Sequence, residues 1–456
     1  MNVVQRIRRY LTADDDRSEV LDGAASTFLL KVGGTGIGYI FNLVLARAFG
    51  ASVLGVYGLM VTVVSVSQLA AKFGTETSSV RFVASASSDG DAEGVRKTHR
   101  RLLSVVFPLS LAVGGGLYIL APSLARLFDT AEMTQAVQWG SVAVPLGAIA
   151  GVNQGCLRGL KEVRASFFFR SVLPPTLNLA GVGALLVAGW TGVMVPVYGY
   201  VFSYLVVALS SSIWWYRMAY QLDDVSGVSE ESISGTPDLR QIMSVSGPLL
   251  ITAAMHFVMG WADEFVLGIY RETGDVGVYR IAYKMAMVTG FSLQAVNSIT
   301  APKIAEFYSQ DAHEKLRRLV GTSSQLIFWT SAPILAGFII LPEFILGLFG
   351  GEFQRAAPAL ILLCVGQFAA ASCGPVGYML TMTQYERRFQ WVLIGGAALN
   401  LTLNFLLVPE WGIVGAAVAT ASSLAAWNIA ASVLAYREFG YWIGYMPFSQ
   451  KQTAKR

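Results

Sequence analysis

Residues 44–57 read VLARAFGASVLGVY, and residues 266–279 read VLGIYRETGDVGVY. At a shift of 222 positions, Val44-Leu45-Ala46 falls on Val266-Leu267-Gly268, and Gly55-Val56-Tyr57 falls on Gly277-Val278-Tyr279. The same shift carries Gly38 onto Gly260, Gly155 onto Gly377, and Leu177-Asn178-Leu179 onto Leu399-Asn400-Leu401. One offset held over about 140 residues marks an internal repeat. In a membrane protein, two similar halves are the build of a transporter, with the substrate path at their seam.

Composition places the repeat in a bilayer. Of 456 residues, 54% are hydrophobic and 14% charged, with a mean hydropathy of +0.53, whereas soluble domains carry about 25% charge. The apolar residues gather in blocks of about 20, the length that crosses a hydrocarbon core as a helix. Twelve such blocks cover 25–47, 53–71, 102–122, 136–156, 167–189, 194–216, 243–269, 276–299, 322–342, 357–381, 389–408 and 412–435. Only helices and closed barrels satisfy their backbone in lipid, and blocks of this length without alternation are helices. The expected fold is an all-α polytopic membrane protein of about twelve spans, in two six-helix repeats.

Basic residues set the expected orientation. Of the 33 Lys and Arg, only Arg126, Arg271 and Arg355 fall on the side opposite the N-terminus, while Lys31, Arg47, Arg170, Arg280 and Lys284 fall inside spans. By the positive-inside rule both termini are cytoplasmic. Each half then starts on the same side, so the repeats are parallel. The net charge of +4 suits anionic headgroups and gives no reason to invoke nucleic acid. Cys156, Cys364 and Cys373 lie in or beside spans, where no external disulfide is expected. The first block is too long for a signal-peptide core and reads as a retained span.

The organisation follows from these spans. Residues 1–24 form a charged cytoplasmic leader, whose basic part (Arg6, Arg8, Arg9) suits a surface helix. Residues 25–216 and 243–435 are the two six-helix bundles, 217–242 a cytoplasmic linker, and 436–456 a cytoplasmic tail. The connections at 72–101 and 300–321 are each expected to carry a helix along the headgroups.

Ionisable groups at membrane depth are the sharpest functional signals, because each costs at least about 2.5 kcal/mol facing lipid. Lys31 shares one helical face with Thr35, Gly38 and Asn42; it faces a cavity or snorkels to the interface. Span 7 carries His256, Gly260 and Asp263, with Glu264 at the position of Asn42 in the repeat. Arg280 and Lys284 form an i, i+4 pair that either receives an anionic headgroup or pairs with Asp263 and Glu264 as structural glue. Arg170 precedes Pro174-Pro175, which should bend or break span 5. Arg47 lies at a span end. The glycines at 34, 36, 38 and 114–116 suit close helix packing. No metal-ligand cluster, phosphate loop, cofactor motif or catalytic constellation is present in the sequence. The chain therefore reads as a carrier, not an enzyme.

One stretch carries a family resemblance: Gly377-Tyr378-Met379-Leu380, Gln384-Tyr385-Glu386-Arg387-Arg388, Leu399-Asn400-Leu401-Thr402-Leu403-Asn404, Val408-Pro409-Glu410-Trp411, and Gly412-Ile413-Val414-Gly415-Ala416-Ala417-Val418-Ala419-Thr420. With Leu45-Ala46-Arg47, Phe49-Gly50-Ala51 and Leu157-Arg158-Gly159-Leu160, it resembles the polysaccharide-biosynthesis flippases. These are the O-antigen (Wzx-type) branch of the multidrug/oligosaccharidyl-lipid/polysaccharide exporter superfamily. The resemblance implies two bundles around a central cavity lined by spans 1, 2, 7 and 8, and flipping of a polyprenyl-pyrophosphate-linked oligosaccharide by alternating access. It also implies a cytoplasmic (inner) membrane location, and a polysaccharide polymerase and glycosyltransferases as partners. By position, Lys31, Arg280 and Lys284 are the substrate-binding residues, with Asn42, Arg47 and Arg170 beside them. Asp263, Glu264 and His256 are the ion-coupling candidates, His256 with the alternative of a satisfied interior histidine. A monomer is expected, since two halves complete the path.

The alternatives are an ion-coupled multidrug and toxin extrusion-type exporter of the same fold, a lipid II flippase, a glycan polymerase or ligase, and a major-facilitator carrier. The first wants acidic residues deep in spans 1–6, where none lies. The second usually has two further helices, the third a large outer loop, and the fourth a basic signature loop between spans 2 and 3.

Overall fold

The computed structural model describes residues 15–88, 90–222 and 238–445, without the side chains of 15–28, 239, 248, 251, 252 and 256. The basic part of the leader, most of the linker and the end of the tail lie outside the described residues. Among the described residues the chain is helical and no strand is present.

α1 (Asp15–Lys72) contains spans 1 and 2, separated where Gly50 takes φ 79°, ψ −179°. A left-handed pair, Phe73 and Gly74, leads to α2 (Thr75–Ser88). α2 packs against the bundle. It buries Thr75, Ser78, Ser79, Val83 and Ala86, and continues span 2 alongside span 4. Span 3 is α3 (Ala92–Leu127), whose 36 residues reach ~54 Å at 1.5 Å per residue and so project beyond a core of roughly 30 Å. Span 4 is α4 (Glu132–Ser141) with α5 (Ala143–Gly159).

Span 5 is α6 (Val163–Phe167), a π-helical turn (Phe168–Val172) and α7 (Leu173–Val187). The break expected from Pro174-Pro175 falls just before them. Both prolines sit in the first turn of α7, where a missing N–H costs nothing, and the strain is taken up in the π-turn. Span 6 is α8 (Met194–Gln221).

The second half repeats the order. Span 7 is α9 (Leu239–Tyr270), and span 8 is divided into α10 (Thr273–Met287) and α11 (Gly290–Ser309). Span 9 is α12 (His313–Ile340). The surface helix expected within 300–321 is absent, because α11 and α12 run through that segment and leave only a short turn at Gln310–Ala312. After α13 (Pro342–Gly347) and a 3₁₀ turn (Gly351–Ala356), span 10 is α14 (Ala357–Cys373) with α15 (Val376–Met382). Spans 11 and 12 share α16 (Glu386–Phe439), divided at Gly412 with φ 54°. The expected all-α polytopic fold of two six-helix halves stands.

Outward faces are apolar: Ile119, Val187, Ile340 and Trp391 are more than 70% exposed, as lipid-facing side chains must be. Small residues set the internal spacing. Gly147, Gly151, Gly155 and Gly159 recur every four residues along α5 and press on Gln68, Lys72, Ser79 with Glu76, and Val83 in turn. The repeat is visible in space as well. Gly55 meets the carbonyl of Thr273, and Gly277, its counterpart, meets the carbonyl of Ala51, the counterpart of Thr273. A Cβ at either glycine would lie 2.0 Å or less from that oxygen. The two halves therefore touch across a pseudo-two-fold axis at these glycines.

Candidate functional site

The seam between the halves is built from spans 1 and 2 against spans 7 and 8. Glu264 and Arg280 leave adjacent helices and form an ion pair at 2.5 Å, with side chains 7% and 5% exposed. Two aromatic rings flank the guanidinium, Trp261 at 5.7 Å and Tyr57 at 6.0 Å from its carbon, a cation–π arrangement. The N-terminal half closes the box: Thr62 donates to Glu264 at 3.2 Å, and Gly58 leaves room for the Arg280 guanidinium. Arg280 Nε is buried without an acceptor among the described residues. Lys284 is one helical turn on from Arg280. Its carbonyl accepts from the Tyr39 hydroxyl of span 1 at 2.5 Å. No partner of its ammonium occurs among the described residues.

Asp263 faces the other way, into the C-terminal half. Tyr279 donates to it at 2.6 Å, Asn404 at 2.6 Å and Asn400 at 3.3 Å, and Thr420 also donates. This buried carboxylate is stabilised by neutral donors in place of a counter-charge. Thr420 with Ser423 also lines a cavity of about 200 Å³ between Gly260, Tyr283, Gln367 and Trp427. The Asn404 Oδ1 has no hydrogen-bond partner among the described residues. The oxygens gathered here suit a small hard cation or a proton, while no group of three His, Cys, Asp or Glu occurs among the described residues.

The structure thus pairs Glu264 with Arg280, one turn from Lys284, turns the neighbouring Asp263 into the C-terminal half, and separates the rest. Asn42 is buried near the seam, its amide nitrogen donating to the Gly38 carbonyl at 2.6 Å while its Oδ1 has no partner among the described residues. Lys31 is half-buried and lies one turn before Gly34, which packs on the Ser171 carbonyl of the π-turn. Arg170 is half-exposed and pairs with Glu76. Arg47 is at the opposite end and donates to the Leu348 carbonyl at 2.7 Å. His256 is on α9, with its side chain outside the described residues.

Two partners went unread in the sequence. Glu76 sits just beyond span 2, but three basic side chains converge on it. The Asn400/Asn404 pair was visible as an i, i+4 amide repeat inside an apolar span; what was missing was its carboxylate partner on span 7.

At the end carrying the 48–52 and 270–275 connections the halves are in contact. Ser52 and Thr273 hydroxyls are 3.1 Å apart, and the Ala51 N–H donates to Glu352 at 2.8 Å. At the other end the halves touch where Ser78 and Ser246 share a hydrogen bond of 2.7 Å.

The comparisons agree with this architecture. The family profile described as "Polysaccharide biosynthesis protein" matches residues 20–307, and that described as "MatE" matches 248–406. The chain is 23% identical, over 87% of its length and 79% of the relative's, to the "Probable low-salt glycan biosynthesis flippase Agl15" of Haloferax volcanii. It is 22% identical to the "Lipopolysaccharide biosynthesis protein WzxC" of Escherichia coli K12, over 86% of this chain and 79% of the other. Among solved structures, the lipid II flippase MurJ in an inward closed conformation superposes with a TM-score of 0.71 at 12% identity, covering 92% of this chain and 89% of that one. An inward-facing multidrug resistance MATE family transporter gives 0.69 at 15%, covering 92% and 94%. These superpositions share the two-half helical fold described above, and the match over 20–307 spans more than half of the sequence. The chain belongs to the polysaccharide biosynthesis protein family.

Proposed function

We propose that this protein flips a lipid-linked oligosaccharide across the membrane, carrying a polyprenyl-pyrophosphate-linked glycan from the inner to the outer leaflet of the cytoplasmic membrane. The observation that carries this reading is Lys284, whose ammonium has no partner among the described residues and which stands beside the Glu264–Arg280 ion pair on the seam between two six-span halves. A pyrophosphate leaving water needs cations to offset its desolvation. In this reading Lys284 and Lys31 contact the pyrophosphate, Asn42 hydrogen-bonds it, and Arg280, fixed by Glu264, supplies field. Arg170 and Arg47 serve the two ends of the path. The polyprenyl tail stays in the bilayer among membrane lipids, and the halves rock as a monomer with both termini cytoplasmic. Glycosyltransferases supply the substrate and a polysaccharide polymerase consumes it.

A second reading, an ion-coupled exporter of the multidrug and toxin extrusion type, is favoured by one feature: the buried Asp263 with its neutral donors beside a cavity. The same cluster serves the first reading if Asp263, with Glu264 and His256, couples flipping to an ion gradient.

The test is depletion of the protein in its host, followed by mass spectrometry of extracted polyprenyl-linked glycans and labelling with an impermeant glycan reagent. Accumulation of one complete oligosaccharide-pyrophosphate lipid, shielded from the reagent, is expected. Unchanged lipid-linked glycans together with new drug sensitivity would replace the first reading by the second.

A further inference from the structure

At the predicted cytoplasmic mouth of the N-terminal half, one carboxylate holds three cations. Glu76 receives Lys72 at 3.3 Å and Arg158 at 3.6 Å, and also pairs with Arg170. The three come from separate elements: the end of span 2, the end of span 4 and the π-turn of span 5. Lys31 of span 1 adds a fourth positive charge near this end: it is one turn from Gly34, which packs on the carbonyl of Ser171, the neighbour of Arg170. Among the described residues no other acidic side chain pairs with any of the four.

The cluster therefore carries a surplus of three charges. Arg158 also donates to the Glu76 carbonyl at 3.1 Å, yet its Nε is buried without an acceptor. The side chains are not sealed off: Glu76, Lys72 and Arg158 are 18–25% exposed and Arg170 is 51% exposed. Arginines around a small anion are the arrangement that takes phosphate oxygens in bidentate fashion. The anion present is a single carboxylate carrying one charge.

We propose that the Glu76 carboxylate is an internal counter-anion, which a diphosphate-bearing lipid displaces from Lys72, Arg158 and Arg170 on its way to Lys31. The proposal rests on the flipping reading and adds to it a loading site at the mouth. The exchange forms and breaks no covalent bond. A lipid-linked diphosphate brings two charges and four non-bridging oxygens against the carboxylate's one charge and two oxygens, so it offsets more of the surplus and offers an acceptor to the orphaned Arg158 Nε. The released Glu76 keeps the site from binding so tightly that the headgroup cannot move on. A phospholipid with one negative charge matches the surplus less well than a diphosphate does.

The experiment uses the full chain in phosphatidylcholine nanodiscs, titrated with geranylgeranyl diphosphate. Glu76→Gln is expected to bind about tenfold tighter than the natural protein, and Arg170→Ala about tenfold weaker. Where loss of the counter-charge stops Glu76→Gln from folding, Glu76→Asp with Arg170→Ala carries the same test, tighter and weaker respectively. Unchanged binding in the folded variants would overturn the proposal. So would phosphatidylglycerol competing as well as the diphosphate and with the same dependence on Glu76, since the site would then serve bulk lipid. Binding with the expected Glu76 dependence, but unchanged glycans on depletion, would keep the site and discard the flipping reading it was built on.

Discussion

Arg280 and Lys284 are one helical turn apart, yet the structure gives them different work. Arg280 is committed to Glu264 inside an aromatic box, whereas the Lys284 ammonium has no partner among the described residues. Removing one member of a buried pair strands the other charge, at about 3–5 kcal/mol. Arg280→Ala is therefore expected to lower the thermal midpoint in detergent and the amount of protein in the membrane. Lys284→Ala and Lys31→Ala are expected to leave both near normal and to slow glycan flipping. Thermal unfolding and the leaflet-labelling assay, run on the same three variants, separate the roles. Normal flipping by both lysine variants would remove these lysines from the substrate path. The sequence placed Arg280 and Lys284 on one face. It left open whether they face substrate or carboxylate, because that depends on which rotamer reaches across to span 7.

At the scale of elements, glycine spacing carries the argument. Gly155 on α5 is pressed against α2: a Cβ there would stand 2.4 Å from the Glu76 carbonyl and 2.0 Å from the Ser79 hydroxyl. Backbone cannot move aside as a side-chain tip can, so Gly155→Ala is expected to cost about 1–3 kcal/mol. It is also expected to disturb the Glu76 cluster. Gly116, with nothing within 4 Å of its missing Cβ, gives the contrast: Gly116→Ala is expected to be neutral or to gain up to about 1 kcal/mol of helix propensity. Equal unfolding midpoints for the two variants would contradict this packing. Within the Gly34, Gly36 and Gly38 series only Gly34 meets a neighbour, the Ser171 carbonyl; the other two face open space. Glycine content alone did not say which glycines were contacts.

For the whole molecule the decisive feature is that the halves touch at both ends of the seam, through Ser52 with Thr273 at one and Ser78 with Ser246 at the other. Alternating access requires that the contacts of Ser52 with Thr273 and of Ala51 with Glu352 open and close once per cycle. The natural cysteines are buried, so an introduced pair reports cleanly. Ser52→Cys with Thr273→Cys is expected to cross-link on oxidation and stop flipping, and reductant is expected to restore it. Full flipping by the cross-linked protein would show that this end does not move.

The sequence by itself determined the span pattern and the repeat, because hydrophobic block length and a constant 222-residue offset are properties of the chain order. The offset even named the pair Gly55 and Gly277 that meet across the pseudo-two-fold axis. Tertiary structure alone decided the polar chemistry, because equivalent positions in the halves have diverged. Asn178 and Asn400 align, yet only Asn400 finds a carboxylate, Asp263, while the Asn178 Oδ1 has no partner among the described residues. Glu76 could be read beside Lys72 at i, i+4, but Arg158 and Arg170 reach it from 82 and 94 residues away. Charge pairs at that separation are set by how helices pack, and no local pattern encodes them.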